Sequence, residues 1–243
     1  MMFVSASVIW SELRARQIAR EELQQLQEIV SRMPETASEG TETTLPVAET
    51  LTDDTGPERI PKRNLLPLFS RNEDCIGWVH IQDTAVDYPV MHTPEEPQKY
   101  LRLNFDKEFS YAGIPFMDAR CTQESSHLIL YGHNMKDGTM FSDILQYVEY
   151  SYYTEHPVIE FETAAGCMEY RIFAVVFAKQ TDSWFRFIEE EDEKTFRERI
   201  RQLQDAALYD TGVQPVYGSQ CLTLSTCDNR DDSIRFLVIA FAA

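Results

Sequence analysis

Apolar residues in the C-terminal three quarters of the chain come in short runs separated by turn-forming residues. "IGWVHI", "VDYPVM", "GIPFM", "HLILYG", "PVIEFE", "MEYRIFAVVFA", "QCLTLST" and "IRFLVIAFA" read as short strands, several with the two-residue alternation of one buried face. Eight such segments after Leu65 predict a mainly β domain, barrel or sandwich, because only closure or a second layer removes so many strand edges. Two stretches have a helical period instead. One is Gly138–His156; the other is Glu189–Gly212, where Phe196, Ile200, Leu203 and Ala207 share a face, which predicts a long helix before the seventh strand.

Upstream, residues 11–33 repeat Leu13, Ile18, Leu23, Leu26, Ile29 and Val30 as a rough apolar stripe, which predicts an amphipathic helix in need of a partner surface. The preceding "MMFVSASVIW" is apolar and uncharged. It reads either as the stump of a membrane anchor or as a short buried or disordered N-terminus. No run of 18 or more apolar residues exists to span a bilayer, and no basic residue precedes the apolar stretch as a secretory signal requires. Between helix and β region, Pro34–Glu58 has seven acids and no base, which predicts a mobile linker. The expected organisation is an apolar stub and helix over 1–33, an acidic linker over 34–64 and a β domain over 65–243.

Composition narrows the function. With 40 acids against 22 bases and a net charge of −18, the chain lacks the basic surface that a phosphate backbone needs, so no nucleic-acid partner is expected. The five cysteines at 75, 121, 167, 221 and 227 are odd in number and scattered, unlike a disulfide framework or zinc ribbon, and at least one thiol is expected free. Period-2 parity points Cys221 and Cys227 to the same face of their strand. No ligand set has metal spacing, and the acidic run from Glu189 to Glu193 reads as a solvated face or a helix N-terminus complementing the macrodipole.

Chemistry concentrates where "CLTLST" ends on Cys227 and a polar "DNRDDS" precedes the next strand. A reactive cysteine needs a base or positive charge to make thiolate and a stabiliser for the oxyanion formed on carbonyl attack. His133, in "LILYGHNMKDGTMF", follows a strand within a glycine-containing loop. Arg235 opens the strand after Cys227, and consecutive strands usually pair, which brings it near the thiol. His80, His92, His127 and His156 have no reactive neighbour in sequence and read as packing or surface residues, with His127 the competitor because it starts the strand leading to His133. A phosphatase loop is disfavoured by the seven residues between Cys227 and Arg235 and by three aspartates that repel phosphate; a papain-like arrangement is disfavoured by the histidine-first order.

"YGHNMKDGTMFSDILQY", "LTLSTC" and "SIRFLVIA" resemble the histidine motif, the TLxTC motif and the following arginine strand of the sortase family, class B in particular. "GWVHIQDTAVDYPVMHTPEEPQKYLRLNFDKEFSYAGIPFMDAR" resembles that class's first strands and adjoining loop, so the likeness covers roughly residues 65–243. It implies an eight-stranded sortase-type β-barrel, with the helix before the seventh strand and the N-terminal helix as class B features. It also implies a transpeptidase without cofactor or metal. Cys227 would attack the threonine carbonyl of a sorting signal, NPxT-like rather than LPxTG, in a secreted protein. His133 would protonate the leaving amine, Arg235 would hold the substrate carbonyl or the developing oxyanion, and a cell-wall peptide amine of a peptidoglycan precursor would resolve the thioester. The resemblance places the enzyme on the extracellular face of a Gram-positive membrane, held by an N-terminal anchor that is missing or truncated in this sequence.

Around that trio, Ser225 and Thr226 are candidates for touching the peptide. Asp228 either orients His133 or Arg235 or is a solvated loop acid, and Trp184 and Phe185 either wall the specificity pocket or cover the core. Because a histidine and a cysteine in an exposed groove need not form a stable ion pair, a minor reactive fraction and modest turnover are expected. A pilin polymerase using a lysine amine and a non-catalytic binder of sorting peptides remain open alternatives. "TLPVAET", Thr44–Thr50, echoes a sorting signal but lacks its threonine and glycine, and reads as chance.

Overall fold

The alternating runs close on one another. A computed structural model of the chain describes residues 6–31, 59–189, 192–228 and 231–243. Its strands are β1 (Cys75–His80), β2 (Asp87–Met91), β3 (Phe116–Met117), β4 (His127–Tyr131), β5 (Val158–Thr163), β6 (Gly166–Lys179), β7 (Cys221–Asp228) and β8 (Asp231–Ala242). They form a closed barrel in the order β1-β2-β3-β4-β7-β8-β6-β5, which leaves no edge to pair with another chain. The pairs β2–β3 and β4–β7 are parallel and the rest antiparallel. β3 is shorter than its apolar run because Pro115 lacks an N–H, and Pro115 instead accepts from Met91 N through its carbonyl at 3.0 Å.

Inward-facing Val79, Tyr88, Leu130, Leu224 and Val238 belong to the buried barrel core. The outward-facing positions of the same strands are covered in two places. Helix α1 (Ala6–Ser31) and the single turn α2 (Leu66–Arg71) pack Leu26, Val30 and Leu68 with Trp78, Tyr100 and Phe105, which supplies the partner surface the amphipathic stripe required. Helix α4 (Glu193–Ala206) lays Phe196 and Leu203 against Phe173, Leu237 and Phe241, with Ile200 and Ala207 partly buried beside them.

Local chemistry corrects several boundaries. The helix expected over Glu189–Gly212 starts later, where the Asp192 carboxylate caps Thr195 N at 2.9 Å, and stops at Ala206, because the chain turns extended and Leu208 N donates to Val175 O at 2.9 Å. The stretch 138–156 is a 3-10 turn over Asp143–Val148 followed by α3 (Tyr150–Glu155). β7 and β8 extend into the expected polar loop, with Asp228 paired to Asp231. The last residues of the expected linker are fastened: Lys62 N and Arg63 N both donate to the buried Glu162 carboxylate, at 2.7 and 2.9 Å. Residues 1–5 and 32–58, the latter holding most of that linker and "TLPVAET", lie outside the described residues. So do Glu190 and Glu191 of the acidic run, while Glu189 accepts from Ser126 N at 3.3 Å and Glu193 pairs with Arg197. No described helix is long and apolar enough to cross a membrane.

Candidate active site

Three neighbouring strands carry the candidate residues. β4 and β7 run parallel with Tyr131 opposite Ser225, so continuing both strands brings Gly132 beside Thr226 and His133 beside Cys227. β8 runs back antiparallel with Arg235 as the direct partner of Cys227. Register along β7 is regular from Cys221 to Cys227, so both thiols face outward as parity requires, Cys221 into the outer core and Cys227 into a groove. That groove of about 390 Å³ is lined by Cys227, His133 and Arg235 together with Leu101, Ser225 and Thr226. A neighbouring pocket of about 400 Å³ beneath α1 contains none of the three candidates.

The histidine loop is pinned on both sides. Gly132 N donates to Ser225 O at 3.1 Å, the Thr226 hydroxyl donates to Gly132 O at 2.7 Å, and Asn134 Nδ2 donates to Cys227 O at 3.0 Å. Phe141 N closes the loop onto His133 O at 2.9 Å. Only glycine fits at 132, because a Cβ there would lie 2.5 Å from the Phe141 ring. His133 Nε2 stands 3.0 Å from Leu101 O, and a carbonyl only accepts, so Nε2 carries the hydrogen and Nδ1 is left to exchange protons. Burial pushes the His133 imidazole below its ordinary 6.5; the Leu101 carbonyl opposes this and the Arg102 charge reinforces it. The neutral ring is therefore favoured near neutral pH, and the imidazolium is the minor form.

The other cysteines are unsuited to attack. Cys75, Cys121, Cys167 and Cys221 are buried, and burial pushes the first three thiols up to about 12, 11 and 11. Cys227 is half-buried and faces the groove.

The remaining expected residues divide. Ser225 is 1% exposed and its Oγ has no hydrogen-bond partner among the described residues, while the Thr226 hydroxyl is committed to the loop. Asp228 is buried, which removes the solvated-acid alternative. Trp184 is not part of the groove. Its Nε1 donates to Thr223 Oγ1 at 3.2 Å, and its ring packs on His127 and Phe187, so it covers the outer core, and buried Phe185 belongs to the same layer. His127 is fully buried: Nδ1 donates to Phe187 O at 2.7 Å and Nε2 accepts from Thr223 Oγ1 at 2.8 Å, which makes it structural. Missed in the sequence were Leu101, Asn134 and an Asp118–Arg120–Tyr131 cluster on the groove wall, all in loops or at a strand end without periodic signal. Among the described residues no group of three or more His, Cys, Asp or Glu could hold a metal ion.

A closed mixed barrel with cysteine, histidine and arginine on adjacent strand ends is the architecture of a sortase-type cysteine transpeptidase. Residues 79–243 match the family model described as Sortase domain, and the chain belongs to the sortase family, in its class B. The curated sortase B of Listeria monocytogenes serovar 1/2a is 35% identical over 172 residues, 69% of this chain and 68% of the relative. The solved Staphylococcus aureus sortase B–substrate complex is similar at TM-score 0.67 and 28% identity, covering 73% of this chain and 83% of that one. Sortase B from B. anthracis in complex with AAEK1 shares the fold at TM-score 0.76, with 23% identity over 95% of this chain and 99% of that one.

Proposed function

We propose that this transpeptidase cleaves an NPxT-like sorting signal of a secreted protein after its threonine and transfers the protein to a cell-wall amine. The observation that carries the reading is the row Arg235, Cys227, His133 on one groove wall. The Cys227 thiolate attacks the threonine carbonyl, and Arg235 offers its charge to the oxyanion. The C–N bond breaks as the His133 imidazolium gives its proton to the departing amine, leaving a thioester on Cys227. An incoming amine attacks that thioester, His133 takes its proton, and the thiolate departs. The reading places the enzyme on the outer face of a Gram-positive membrane, held by an N-terminal anchor; membership of the sortase family supports the cell-surface placement.

The test is incubation with NPxT-type and LPxTG-type peptides, with and without a glycine-based amine. Cleavage after threonine with amine transfer, absent in Cys227→Ala, is expected. Hydrolysis alone at every amine concentration would contradict the transfer step.

A further inference from the structure

Arg120 stands on the groove wall held from three directions. Its Nε and Nη2 donate to the two oxygens of Asp118 at 2.8 and 2.7 Å, and Nη2 also donates to Phe185 O at 2.7 Å. Nη1 donates to nothing among the described residues, and the side chain remains 51% exposed. The carboxylate beneath it is 8% exposed and also accepts from Tyr131 Oη at 2.8 Å. Burial alone would raise the Asp118 pKa; the bonds from Arg120 and Tyr131 outweigh it and hold the carboxyl below its ordinary value, so the pair is ionised. The result is a guanidinium already oriented and already neutralised, with a two-donor edge lining the same groove as Cys227.

Its place along the groove follows from the strands. Tyr131 and Ser225 are paired two residues back from the His133 and Cys227 level, about 7 Å at ~3.3 Å per residue, and Asp118 and Arg120 lie beyond the Tyr131 hydroxyl. An extended peptide with its threonine at Cys227 has the same pitch, and laid with its N-terminal side towards Tyr131 it brings its residues two and three places upstream to this end.

We infer that Arg120 is a specificity-determining residue, whose Nη1 edge donates to a side-chain oxygen on the residue three positions before the cleaved threonine. Because Asp118 cancels the guanidinium charge, a neutral carboxamide suits the site better than a carboxylate, and an aliphatic side chain leaves the donors unpaired. This rests on the transpeptidase reading and adds to it the residue that selects an asparagine-led over a leucine-led signal.

The experiment measures kcat/KM for Cys227 acylation with four peptides that differ only at that position, carrying Asn, Asp, Leu or Ala, in the wild type, Arg120→Ala and Arg120→Lys. The wild type is expected to prefer Asn over Leu by about tenfold or more. Arg120→Ala should lower the Asn peptide about tenfold and leave the Leu peptide within about twofold, since one charged hydrogen bond is lost. Arg120→Lys keeps the pairing charge for Asp118 but not the oriented edge. It should lose the Asn preference too, which keeps the test decisive if the alanine variant folds poorly. Equal losses for all four peptides would make Arg120 a brace between Asp118 and Phe185 and overturn the inference. Equal wild-type rates for Asn and Leu would overturn it while leaving the transpeptidase reading intact; no thioester with any peptide would overturn both.

Discussion

Cys227 and Arg235 are direct cross-strand partners on β7 and β8, so the thiol and the guanidinium start from one rung of the barrel. Arg235 is held near its own strand by an Nη1 contact to Ile234 O at 3.1 Å. If its charge serves the oxyanion, Arg235→Ala should slow Cys227 acylation about 10²–10³-fold with little change in melting temperature. Single-turnover kinetics with a sorting peptide check this. A comparable loss of stability and rate would point to a structural role instead.

Gly132 is the hinge of the histidine loop, packed against the Phe141 ring with no room for a Cβ. Gly132→Ala should destabilise the fold by about 1–3 kcal/mol through overpacking and should displace His133. Denaturant unfolding and acylation rates read the two effects separately. Asn134→Ala, which removes the bond to Cys227 O, should cost activity with a smaller change in stability.

His127 makes stability depend on pH. Burial pushes its imidazole from 6.5 down to about 4, against the Phe187 carbonyl that favours the charged ring. Between those values the unfolded chain binds a proton that the folded chain does not. Its contribution is therefore complete above 6.5 and falls as pH drops towards 4, by roughly 2–4 kcal/mol. Urea unfolding at several pH values should show this slope, and His127→Gln should flatten it. The lowered pKa of His133 acts in the same direction.

Arg102 depresses the His133 pKa electrostatically. Arg102→Gln should raise it, enlarging the imidazolium fraction and moving the histidine-dependent limb of the pH–rate profile to higher pH. An unchanged profile would show that burial and the Leu101 carbonyl set the ring's titration.

The N-terminal helix is part of the folded unit. Leu26 is 1% exposed among Leu68, Trp78 and Phe105, so Leu26→Ala should cost about 2–5 kcal/mol, measurable by thermal or urea unfolding.

What the sequence revealed follows from which contacts are local. Short apolar runs bounded by turn residues marked all eight strands, and the pairing of consecutive β7 and β8 made the Cys227–Arg235 neighbourhood legible. The parallel union of β4 with β7 joins segments far apart in the chain, and only the family motifs tied His133 to Cys227. Leu101 reaches the groove from a short 3-10 turn and Arg120 from a loop, where no period reports which way a side chain faces. The end of α4 was obscured because Ala207 and Leu208 are as good helix formers as what precedes them; a tertiary bond from Leu208 N to Val175 O decides the boundary. Trp184 was left open between pocket wall and core cover for a similar reason, since its partner Thr223 is identified only once β7 lies beneath it.

Intact-protein and peptide mass spectrometry after brief incubation with an NPxT-type peptide tests the central claim most directly. The account predicts an acyl adduct on Cys227 alone, discharged by added amine, with Cys75, Cys121, Cys167 and Cys221 unmodified. An adduct on a different cysteine, or turnover that persists in Cys227→Ala, would contradict it.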